Sequence, residues 1–199
     1  MIDQNILEDA GAVLKKYKRN ELLFKEGDNA YYYYQVQVGE VKMNNFNDEG
    51  KEFIQGIFGV GKSFGEPPLF ASFKYPANAE AITDAKVWQL PKVKFLKILE
   101  ENPSIHHKFT STLASRLYYK AMMVSEISTQ EPEHRILRIL DYLKKNNAIN
   151  INESNLYKIE LTRQQLADLT GLRVETVIRA VKKLEQKGEL LIKDRKIYR

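Results

Sequence analysis

The chain has 199 residues, enough for one large domain or two small ones, with 43% hydrophobic residues and a mean hydropathy of −0.45. Its apolar runs are only a few residues long, which excludes a membrane-spanning helix, and the acidic start MIDQNILEDAG does not read as a signal peptide, so the expected location is cytoplasmic. The absence of cysteine excludes disulfides, thiolate-held zinc and cysteine-held iron–sulfur clusters, and three scattered histidines (His106, His107 and His134) make no metal site.

A short helix is expected over Ile6–Tyr17. From there to residue 92, short apolar runs alternate with glycine turns. Leu22–Phe24 precedes KEGD, and Tyr31–Val38 is a strand. Tyr32, Tyr34, Val36 and Val38 lie on one face of it, and Tyr31, Tyr33, Gln35 and Gln37 on the other. Packing explains this tyrosine run better than ligand stacking does. Val41–Met43, the hairpin tip NDEGKE, Phe53–Phe58, Ala79–Ile82 and Lys86–Leu90 complete an antiparallel β-roll or barrel. Residues 56–63 match the phosphate-loop pattern GxxxxGK[ST]. The following Phe-Gly-Glu-Pro-Pro supplies no regular helical turn to hold phosphates, so nucleotide hydrolysis is not expected.

Pro91–Leu99 reads as a short helix and Pro103 to about Ser128 as a long one, roughly 38 Å at 1.5 Å per residue. Ile105, Phe109, Leu113, Leu117, Ala121, Val124 and Ile127 form a stripe along it. A lone amphipathic helix of this length needs a partner, and a second copy is the simplest, with a different face left for its own roll. Glu131-Pro132 marks a domain boundary. Ile136, Ile139, Leu140 and Leu143 form the next helix, and Lys144–Asn155 is a polar connector or hairpin.

Residues 162–187 carry the clearest chemistry. Thr162 with Gln165 reads as a capping box. The helix it opens buries Leu166 and Leu169 and ends at Gly171, suited to a left-handed turn. A second helix starts near Arg173 and buries Val177, Ala180, Val181 and Leu184. Its opposite face carries Glu175, Arg179, Lys182 and Gln186, with Val174 and Ile178 at the margin. Leu190–Ile192, a charged turn and Ile197–Tyr198 read as a small wing. A plain helical hairpin has no need of such a wing, nor of nine Lys and Arg against four acids over residues 173–199. Residues 1–128 balance 16 basic against 16 acidic residues, so the net charge of +5 belongs wholly to residues 129–199. A winged helix-turn-helix that binds double-stranded DNA is therefore expected. Arg179 is placed to pair with guanine O6 and N7, and Glu175 to accept from a cytosine amino group.

The order β-roll, long helix, winged helix-turn-helix resembles the Crp/Fnr superfamily of bacterial transcription regulators. The carriers are KEGD (25–28), VGEVK (38–42), DEGKE (48–52), FGEPPLF (64–70), NPSI (102–105) and TRQQLADLTGLRVETVIR (162–179). The implied fold class is α+β. The resemblance sets a cyclic-nucleotide-binding-like roll at 1–102, a dimerisation helix at 103–128 and the DNA-binding domain at 129–199. DNA contacts are expected from Thr162, Arg163, Arg173, Val174, Glu175, Thr176, Arg179, Lys182 and Lys196, and the homodimer seam from Ile105, Phe109, Leu113, Leu117, Ala121 and Val124.

Relatives that bind cAMP hold its ribose with a Gly-Glu pair, matched here by Gly65 and Glu66, and its phosphate with Arg-Ser before an alanine. Here Ala77 is preceded by Tyr75, which has no positive charge to offset a phosphate, and Pro76, which has neither amide hydrogen nor hydroxyl. The adenine-reading Thr-Ser pair of the relatives falls at Lys120 and Ala121. No cofactor is expected, and cAMP is not the expected effector. The resemblance implies RNA polymerase as a further partner, and no enzymatic activity. The rival reading is a sensing or scaffolding module whose helix-turn-helix contacts protein.

Overall fold

Period-two apolar runs broken by glycine turns form two antiparallel sheets packed face to face. The computed structural model describes residues 2–129, 131–146 and 156–199. They fall into two units, Met1–Leu113 and Ala114–Arg199. In the first unit one sheet holds β1 (Val13–Tyr17), β8 (Ala85–Pro91), β3 (Tyr32–Val38) and β6 (Ser63–Phe64), in that order. The other holds β2 (Leu22–Phe24), β7 (Asn78–Ala81), β4 (Val41–Phe46) and β5 (Glu52–Phe58). Every neighbouring pair of strands is antiparallel, giving the expected roll.

The faces of β3 explain the tyrosine run. Tyr34 and Val36 sit in the core between the sheets, against Ala77, Ala79, Ala81 and Val87. Tyr33 points the other way into a second core, stacked on Phe95 with ring centroids 4.5 Å apart. That core is closed by α1 (Gln4–Asp9), α3 (Lys92–Glu101) and the start of α4 (Pro103–Thr129), through Leu7, Phe95, Leu99 and Phe109. β3 is thus buried on both faces, whereas alternation alone suggested one apolar side.

Two local expectations are corrected. Ile6–Tyr17 is not one helix: α1 ends at Asp9, Gly11 takes φ +76°, and Val13–Tyr17 becomes β1, paired in register with Gln89–Ala85. Pairing with a strand 70 residues away is invisible to local periodicity. The Pro-Pro stretch does make one turn of helix, α2 (Pro67–Phe70), because prolines at the first helical positions forfeit only amides that would lack partners anyway.

In the second unit, α5 (Pro132–Asn146), α6 (Arg163–Thr170) and α7 (Val174–Gln186) enclose Ile136, Ile139, Leu140, Leu166, Val177 and Leu184. α5 carries Lys144 and Lys145 as its last turn. The remainder of the expected connector, residues 147–155, lies outside the described residues. The wing is β10 (Leu191–Lys193) and β11 (Lys196–Tyr198), with β11 also pairing to β9 (Lys158–Ile159), a strand the sequence pattern did not reveal. Asp194 and Arg195 turn the hairpin with φ of 49° and 63°, the double left-handed geometry of a two-residue loop.

Candidate functional site

Thr162 and Gln165 form the complete capping box at the start of α6. The Gln165 amide donates to Thr162 Oγ1 at 3.1 Å, and the Thr162 amide donates to Gln165 Oε1 at 2.9 Å. At the other end Gly171 adopts φ 68°, and its amide and that of Leu172 return to the Ala167 carbonyl. The buried Arg135 guanidinium donates to the Thr170 carbonyl at 3.1 Å, placing a cation at the negative end of α6. Both ends of α6 are therefore fixed.

Val177, Ala180, Val181 and Leu184 bury one face of α7 in the core. On the other, Glu175, Arg179 and Lys182 are exposed, as is Arg173 at the N-cap, where its side chain makes no cap hydrogen bond. Among the described residues these four side chains have no hydrogen bond or ion pair. Lys183 and Lys187 instead reach Glu133 of α5, at 3.0 and 3.9 Å. Glu175 and Arg179 stand one turn apart on this face.

Four other residues expected at the DNA are partly buried or already share an acid. Val174 is half-buried and packs on the unit's own core. Thr176 is half-buried. Arg163, at the first position of α6, is also half-buried, and loss of water holds its guanidinium below the usual range. Lys196 shares Glu160 with Lys158, at 3.7 and 2.7 Å, so part of its charge is already answered. Lys193 at the end of β10 and Arg195 in the wing turn are exposed and, among the described residues, unpaired. The sequence pattern KDRK held that signal without telling the three cations apart.

In the first unit the expected effector residues do converge, but on a filled interior. Tyr75 is buried and stacks on Phe24 with centroids 3.7 Å apart and an 11° interplanar angle. Phe24 in turn meets Tyr34 at 5.5 Å and Phe64 at 6.2 Å, and Phe58 lies 5.7 Å from Phe64. Gly65, at φ +70°, is required here: a Cβ would stand 2.9 Å from the Phe24 ring and 3.2 Å from that of Tyr75. Glu66 is buried and accepts from the Ser63 hydroxyl. Pro76 offers only its carbonyl, which accepts from Asn45 Nδ2 at 2.7 Å, and Ala77 is buried beside it. Burial raises the Tyr75 phenol well above the usual range, and the charges that add to this are the acids Glu66 and Asp28.

Lys120 lies in the second unit. Its ammonium is held below the usual lysine range by lost hydration first and by Arg116 second. On the same helix, Ile105, Phe109 and Leu113 pack within the first unit's core. Leu117 and Val124 are 69% and 68% exposed, Ala121 is exposed between them, and the side chain of Ile127 is outside the described residues. The expected stripe is thus two surfaces in series.

Among the described residues the Tyr75 hydroxyl has no hydrogen-bond partner. Tyr75→Phe is therefore expected to stabilise the fold by about 1 kcal/mol, because an unsatisfied buried group is removed while the ring stays. Chemical denaturation measures this, and a loss of stability instead would show that the hydroxyl donates to a bound species.

Residues 14–102 match the model of the cyclic nucleotide-binding domain, and residues 134–198 that of the Crp-like helix-turn-helix domain. The cAMP-activated global transcriptional regulator CRP of Haemophilus influenzae is 30% identical over 176 residues, covering 88% of this chain and 78% of that protein. The chain belongs to the Crp/Fnr family of transcription regulators. Among solved structures, the c-di-GMP-responsive global regulator CLP of Xanthomonas campestris matches with a TM-score of 0.75 at 24% identity over 98% of both chains. A mutant of CooA from Carboxydothermus hydrogenoformans matches with a TM-score of 0.80 at 16% identity, over 100% of this chain and 86% of the other. At these identities the likeness is one of fold. This Crp/Fnr protein is accordingly a DNA-binding transcription regulator, and none of its described helices is long and apolar enough to cross a membrane.

Proposed function

We propose that this regulator acts in the cytoplasm as a homodimer on an inverted repeat of TTGA-like half-sites, and that cAMP is not its effector. The observation that carries the DNA reading is the exposed, unpaired Glu175 and Arg179 pair on α7, held by a doubly capped α6. Relatives of the Fnr branch carry Val-Glu-x-x-x-Arg here, matched by Val174, Glu175 and Arg179. Arg179 on guanine and Glu175 on the paired cytosine read an inner G·C, while Val174, lacking a donor, makes no demand for an outer guanine. Half-site centres about 34 Å apart place two α7 helices on one face of the duplex. The long helix supplies the dimer seam, and RNA polymerase is the further partner.

Selection from random DNA tests the site: inverted TTGA-like repeats are expected, and enrichment of GTGA would overturn the role of Val174. The aromatic filling around Tyr75 and the acids beside it support the effector reading. Calorimetry with cAMP and cGMP is expected to show no binding in the micromolar range, and micromolar affinity for either would refute it.

A further inference from the structure

One large apolar side chain on the outer side of α7 is left about half exposed by the described residues. Ile178 is 48% exposed, while Val177, Ala180, Val181 and Leu184 of the same helix are buried. A β-branched residue at an exposed helical position gains no burial and forms helix less readily than alanine, lysine or glutamate. Helical spacing puts it one turn after Val174 and Glu175, one turn before Lys182, and next to Arg179. Of the two aliphatic groups at this margin, Val174 is half-buried against the unit's own core. Ile178 is the one free to reach a base.

The chemistry of the major groove then names its partner. Cytosine offers an amino donor there, guanine offers acceptors, and thymine offers a C5-methyl group. Isoleucine against a guanine edge or a cytosine amino group would strip water from a polar atom and return no hydrogen bond. Against a thymine methyl it removes apolar surface of both partners from water. We propose that Ile178 reads the methyl group of a thymine in a base pair flanking the G·C contacted by Glu175 and Arg179, making Ile178 rather than Val174 the apolar reader of the half-site. The inference rests on the DNA-binding reading given above.

Deoxyuridine isolates the methyl group. Random-DNA selection with the full-length protein first fixes the consensus. Each flanking thymine is then replaced by deoxyuridine in both half-sites, and binding is measured for the native protein and for Ile178→Ser. One of the substitutions is expected to weaken the native protein about fourfold per half-site, the worth of one buried methyl. Ile178→Ser should bind thymine and uracil duplexes equally, and should melt as the native protein does because the side chain is exposed. An enriched inner G·C with no deoxyuridine effect at either flank would overturn the role of Ile178 and leave the DNA reading standing. Equal methyl dependence in native protein and variant would do the same. No enriched sequence at all would overturn the DNA reading, and this inference with it.

Discussion

Glutamate at both Leu117 and Val124 is expected to leave the protein monomeric and to abolish tight binding to an inverted-repeat site. The two side chains are 69% and 68% exposed on α4, with Tyr118 at 67% and Ala121 also exposed nearby. Leu117, Ala121 and Val124 repeat at four and three residues, the seam spacing of paired helices. Carboxylates buried without partners in such a seam cost several kcal/mol each. Leu113, which the sequence pattern placed in the same stripe, is unsuitable for this experiment because it packs on its own roll core. Val93→Glu is the control, a change at an even more exposed apolar residue (79%) outside the seam, and it should remain a dimer. Sedimentation velocity reads the outcome, and a Leu117/Val124 variant that stays dimeric would place the seam elsewhere.

Arg179→Ala is expected to weaken binding to the selected site by about 1–3 kcal/mol and to relax discrimination at the inner G·C pair. Its guanidinium is exposed and has no hydrogen bond or ion pair among the described residues, so the melting temperature should not move. Arg195→Ala in the wing turn should behave differently, weakening all sequences alike and flattening the salt dependence by about one phosphate contact. Lys196→Ala should do less than Arg195→Ala, because Glu160 already sits 3.7 Å from the Lys196 ammonium. Fluorescence anisotropy across a salt series separates the two classes. If Arg179→Ala lowers affinity equally for every sequence, the arginine contacts phosphate and not a base.

Much of the helix-turn-helix was legible in the sequence because its signals are short-range. A capping box spans four residues, a left-handed glycine acts on its own turn, and the buried face of α7 follows the 3.6-residue period. What periodicity did not supply was degree. Val174 and Ile178 share one margin of the helical wheel, yet one is half-buried and the other exposed, since what covers Val174 comes from the core of the whole unit. The wing cations were similarly indistinct until β9 brought Glu160 beside Lys196.

By itself the sequence determined the order of roll, long helix and winged helix-turn-helix, the capped turn before the recognition helix, and the loss of an Arg-Ser phosphate pair at Tyr75 and Pro76. These follow from residue identity and from spacing within a few turns of chain. Only the tertiary structure decided that residues 13–17 are a strand, because their hydrogen-bond partners are residues 85–89. It also decided how the stripe on α4 is divided, since Ile105, Phe109 and Leu113 are claimed by the first unit's core while Leu117 and Val124 stay exposed. It also brought Phe24, Tyr34, Phe64 and Tyr75, from segments far apart in the chain, into one aromatic cluster.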